Sequence, residues 1–142
     1  MATRSKSWSE KIAVKKEQKK VRLDKPFAGI PAGAMLFVAT PRIVQRYVEK
    51  IPFGQTRTIE RMRRELARNN KCDATCPVST AIFLRLVAES AWEQLQNGTD
   101  ADAVAPFWRV IEPGSVIAKR LTVDSAWLKH QREMESASRP KG

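Results

Sequence analysis

The residues best suited to chemistry are two cysteines, Cys72 and Cys76, in the segment "NNKCDATCPVST". Thiolates are good zinc ligands, yet a closed site needs further donors, and only His130 and carboxylates remain to supply them. Cys76 precedes Pro77 at an expected helix start, where the helix dipole favours a thiolate and hence nucleophilic attack. The alternative is a small, semi-buried residue beside the N-cap. The single histidine, His130, stands among Lys129 and Arg132, the setting of a solvent-facing side chain rather than a general base. Ser/His/Asp triads, glycine-rich phosphate loops and metalloprotease helices all lack their residues. No catalytic set is therefore expected, and neither a metal nor another cofactor.

The cations point to a different kind of chemistry. Lys and Arg number 26 against 15 Asp and Glu, for a net charge of +11 and a pI near 10.2. Such an excess favours polyanionic partners without choosing among DNA, RNA and anionic lipid. Residues 1–25 contribute +6 of it and offer little to bury beyond Trp8, Ile12, Val14, Val21 and Leu23. They read as a basic, weakly ordered arm, either solubilising or phosphate-binding. In the segment after Thr58, helical spacing puts Ile59, Met62 and Leu66 on one side. Arg61, Arg64 and Arg68 fall within roughly 60° of one another on the other. Without an acidic partner on that stripe, it reads as a phosphate-contacting or a solvated face.

Several elements must position these groups. "PFAGIPAGAM" is an irregular connection ahead of a short apolar strand, Met35 to Val38. Thr40 caps a helix that starts at Pro41 and stops before Pro52, and Thr58 caps the arginine-bearing helix to Asn69. A longer helix runs from Pro77 to Gln96 and ends at Asn97-Gly98. Its first half is apolar nearly all round, as in a central helix, while Arg85, Glu89 and Glu93 form a stripe expected to meet water. Thr99 or Asp100 opens a short turn. "FWRVI" then reads as a strand, Pro113-Gly114 as a turn and Val116 to Ala118 as the returning strand of a hairpin. Asp124 caps a last helix to Glu135. The fold class is thus mainly α with a small β-hairpin, in a winged helix-turn-helix layout. One domain over 26–137 is expected, with residues 138–142 as a disordered tail. The longest apolar run, Ala34 to Ala39, is too short to span a bilayer, so no membrane partner and a cytoplasmic location are expected.

"IPFGQTRTIERMRREL", the long helix, "PFWRVIEPGSVIAKRL" and a terminal helix ending "REMESA" together resemble the DNA-binding domain of alkylguanine-DNA alkyltransferases and alkyltransferase-like proteins. The basic arm and "PFAGIPAG" are similar to a bacterial branch of that family. In the repair enzymes the central segment reads Pro-Cys-His-Arg-Val, with the cysteine as alkyl acceptor and the histidine as its activator. Pro106, Arg109 and Val110 match, but Phe107 takes the cysteine position and Trp108 the histidine position. A phenyl ring has no lone pair with which to attack an alkyl carbon, so suicide transfer is not expected there.

The resemblance implies a non-catalytic DNA-binding protein, linked to repair, whose partner is double-stranded DNA. The alternative is a protein-interaction or RNA-associated module on the same fold. It implies a vestigial acceptor pocket made of Pro106, Phe107, Trp108, Ile59 and Glu135. Ile59 stands where the family has a tyrosine, and no arginine near Pro77 matches the one that fills a vacated base stack. For the interface, Arg57, Arg61, Arg64 and Arg68 would hold phosphates, with Arg109 and Lys119 as further contacts. Thr75, Ser79 and Thr80 are the short polar groups able to approach bases or backbone. Weak sequence specificity and steep salt dependence follow.

Overall fold

The computed structural model describes residues 8–13 and 17–137. The tail 138–142 and the arm's residues 1–7 and 14–16 lie outside the described residues. The chain is mainly helical with a small three-stranded sheet.

Local chemistry sets the helix starts. Thr40 accepts from the Ile43 amide at 3.2 Å and Pro41 opens α2, Pro41–Glu49. Thr58 accepts from the Arg61 amide at 3.0 Å and opens α3, Ile59–Asn69. These caps satisfy amides that have no carbonyl partner inside the helix. The long helix α4, Pro77–Gln96, buries Phe83, Leu84, Val87, Ala88 and Ala91, as its apolar circumference requires. Ahead of it, α1, Trp8–Ala13, packs along α4 and buries Ile12.

The sheet runs β1 (Lys19–Arg22), β2 (Met35–Val38), β3 (Ala74–Thr75), antiparallel then parallel. Phe37 in the central strand is fully buried. Every residue of β1 is exposed, and its Lys19, Lys20 and Arg22 make it a charged edge that resists further strand pairing.

The hairpin expected over 107–118 does not form. Phe107–Arg109 is a 3-10 turn, and Val116–Lys119 is a short helix, α5. On a strand, neighbouring side chains oppose one another, whereas a 3-10 turn separates them by about 120°. Both rings can then enter the core, where Phe107 is 0 % and Trp108 1 % exposed. After the Pro113-Gly114 turn, Ser115 accepts from the Ala118 amide at 3.3 Å and starts α5 in place of a strand. The last helix, α6, is Ser125–Ala137.

The stripe on α4 also differs from expectation. Glu89 is 1 % exposed and accepts from the Thr122 amide at 2.9 Å and from Thr122 Oγ1 at 2.8 Å. Glu93 accepts from the Trp8 amide at 3.4 Å, and the Arg85 guanidinium lies 5.7 Å from the centre of the Trp8 ring. The stripe is thus covered by α1 and by the loop at Thr122.

Candidate nucleic-acid interface

Phe107 and Trp108 sit in an aromatic cluster. Phe107 stacks on Trp127 with centroids 5.9 Å apart, Trp108 meets Trp127 edge-on at 5.6 Å, and Trp92 meets it at 5.2 Å. Each such pair contributes ~1 kcal/mol beyond its buried area. The buried indole N–H needs an acceptor, and Trp108 Nε1 donates to Glu135 Oε2 at 2.7 Å. Arg109 donates to the same carboxylate from Nε at 2.8 Å and from its second terminal nitrogen at 3.0 Å. Its remaining terminal nitrogen donates to the Ile51 carbonyl at 2.8 Å. Burial pushes the Glu135 carboxyl up, but the hydrogen bonds from Arg109 and Trp108 and the Arg109 charge bring it below its ordinary value.

Pro106 is buried beside these rings in sequence, and Ile59 is half-buried against the core at the start of α3. A cavity of about 150 Å³ borders Trp108, Arg109, Arg132 and Glu135 without reaching Phe107. The Phe107 ring itself lies between Trp108 and Trp127.

A larger groove, about 560 Å³, lies between α3, β3 and the first residue of α4. Arg63, Arg64 and Arg68 line its α3 wall, with Glu60 at one end and Cys72 and Asp73 at the other. The Asp73 carboxylate is engaged, accepting from the Met35 amide at 2.7 Å. Thus Arg64, Arg68 and Thr75 of the expected interface share one groove. Arg63, one step round the helix from Arg64, joins them although the expected stripe omitted it.

The remaining candidates separate. Arg61 is paired with Glu65 at 2.5 Å, so the arginine face does carry an acidic partner. That bond holds the Glu65 carboxyl below its ordinary value, outweighing burial, which acts in the opposite direction. Arg57 donates to Gln55 at 3.0 Å and borders another cavity, with Arg46, Lys50 and Tyr47. There burial, then the Glu65 charge, pushes the Tyr47 hydroxyl up to about 12.

Thr75 and Thr80 do not reach a groove with free hydroxyls. Thr75 Oγ1 donates to the Arg63 carbonyl at 2.7 Å, and Thr80, fully buried, donates to the Cys76 carbonyl at 2.6 Å. The Ser79 hydroxyl is buried as well. Arg109, expected as a further nucleic-acid contact, is instead committed to Glu135, while Lys119 stays exposed at the end of α5. Cys76 is buried at the α4 N-cap without a side-chain cap bond, and half-buried Cys72 donates to the Asn70 carbonyl at 3.4 Å.

No family model, curated protein or solved structure matches this chain. Among the described residues no three His, Cys, Asp or Glu side chains gather as metal ligands would. No helix among them is long and apolar enough to cross a membrane.

Proposed function

We propose that this chain is a non-enzymatic DNA-binding protein of the alkyltransferase-like type, linked to DNA repair, with α3 and α4 as a helix-turn-helix pair. The observation that carries the reading is the groove in which Arg63, Arg64 and Arg68 project together beside the start of α4. Guanidinium groups on one wall suit the regularly spaced phosphates of a nucleic-acid backbone. With Glu89 buried and Glu93 engaged by α1, the repulsion expected between α4 and a polyanion is reduced. Thr75 and Thr80 are committed internally, so contacts are chiefly to phosphates and sequence preference is weak. The resemblance supports the absence of alkyl transfer, because the acceptor position holds a phenyl ring enclosed by Trp108 and Trp127.

A second reading, a protein-interaction module, is favoured by one observation. Val78 and Ile82 are 52 % and 55 % exposed, four residues apart on the first turns of α4. An exposed apolar pair on one helix face suits a protein partner. Fluorescence anisotropy with a labelled duplex separates the two. The DNA reading requires affinity well above that of an unrelated protein of equal net charge, and equal affinity removes it.

A further inference from the structure

The wall of the arginine groove facing α3 is a tight turn that includes Ala28 and Ile30. Its ends are joined twice, with the Phe27 amide donating to the Ile30 carbonyl at 2.9 Å and the Ile30 amide returning to the Phe27 carbonyl at 2.8 Å. Ala28 and Gly29 bridge them at φ +50° and +82°, the paired left-handed conformation of a type I′ turn. Alanine is disfavoured there, so the turn is held against local preference.

Residues directly opposed in an antiparallel bridge place their side chains on the same face. Phe27 and Ile30 are such a pair, and Ile30 lines the groove. The Phe27 ring therefore leaves the turn on the same face as the Ile30 side chain, next to the groove and not among the residues that line it. It remains 40 % exposed, whereas Phe37 and Phe107 are 0 % exposed. Cations and an open aromatic ring are what a strand with an unpaired base requires, the first for phosphates and the second for the π-face of the base. In an unbroken duplex neighbouring bases cover those faces.

We propose that the Phe27–Ile30 turn is a base-stacking element and that the groove takes DNA carrying an unpaired nucleotide in preference to a continuous duplex. This rests on the DNA-binding reading above.

The test uses the full chain and two labelled DNAs of equal length, one fully paired and one with a single unpaired 2-aminopurine. The unpaired substrate should bind about tenfold more tightly, as one stacked base allows, and its fluorescence should be quenched on binding. Phe27→Ala should lose the preference and the quenching while keeping the affinity for paired DNA, and Phe27→Trp should retain both. Unchanged thermal unfolding of the variants would establish that the fold is intact. If wild type shows no preference, or F27A keeps the preference and the quenching, the stacking proposal is overturned while DNA binding stands. If neither DNA binds better than to a charge-matched protein, both readings fall.

Discussion

Glu135 holds Trp108 and Arg109 through one carboxylate, accepting from the indole at 2.7 Å and from the guanidinium at 2.8 and 3.0 Å. The bridge ties α6 to the turn that carries both rings, and Arg132 reinforces it by donating to the Trp108 carbonyl at 2.7 Å. An arginine and a glutamate with side chains 14 % and 5 % exposed are mostly out of water, so each depends on the other.

Replacing Glu135 by alanine should therefore destabilise the chain by about 3–5 kcal/mol, because the Arg109 charge and the Trp108 N–H are left without their acceptor. Urea unfolding at neutral pH measures it. Glu135→Gln, which keeps an acceptor, should be less costly.

The same carboxyl predicts a pH dependence. Folding lowers its pKa from the ordinary 4.5, so the unfolded chain takes up this proton first on acidification. The stabilisation is fully present above that value and is lost as pH falls through the lower, folded value. The stability gap between wild type and Glu135→Gln should shrink below pH 4.5 and stay constant above it, as read from unfolding midpoints across pH.

The buried Glu89 carboxylate relies on two donors of Thr122, the amide at 2.9 Å and the hydroxyl, which is shared between the two carboxylate oxygens at 3.0 and 2.8 Å. Thr122→Val removes the hydroxyl donor at similar volume and should cost about 1.5–3 kcal/mol, the range for a hydrogen bond to a charged group. Thermal or urea unfolding reads it.

On the alkyltransferase-like reading proposed above, placing a cysteine at position 107 should not create alkyl transfer. Phe107→Cys leaves a cavity among Trp108 and Trp127, costing about 3–5 kcal/mol by analogy with Phe→Ala in a core. Trp108 still supplies no activating base. Intact-protein mass after exposure to DNA bearing an alkylated guanine should show no added alkyl group in this variant or in wild type.

Where the chain carries its own start and stop signals, the structure was legible in the sequence. Thr40-Pro41, Thr58 and Asn97-Gly98 mark boundaries of α2, α3 and α4 through local bonds alone. "FWRVI" misleads because aromatic and β-branched residues bounded by prolines look like a strand. Burying both neighbouring rings selected a 3-10 turn, and Ser115 as an N-cap was the overlooked signal. The partners of Glu89 and Arg109 lie 33 and 26 positions away, beyond the reach of helical periodicity. The edge strand β1 leaves no signature in the sequence, because its four exposed residues carry no alternating pattern. That Arg64 and Arg68 share one face of α3 was readable from spacing, and both line the groove. The pairing of Arg61 with Glu65 was equally readable, since the two are four residues apart.

The most direct measurement of the central claim is the salt dependence of duplex affinity for wild type, Arg64→Ala, Arg68→Ala and Arg61→Ala. If Arg64 and Arg68 contact phosphates, each substitution should weaken binding and reduce the slope of log affinity against log salt by about 1. Arg61→Ala should change it less, because Glu65 already neutralises that guanidinium. All three exposed sites should leave the unfolding midpoint nearly unchanged. Wild-type slope and affinity retained in Arg64→Ala and Arg68→Ala would contradict binding through this groove.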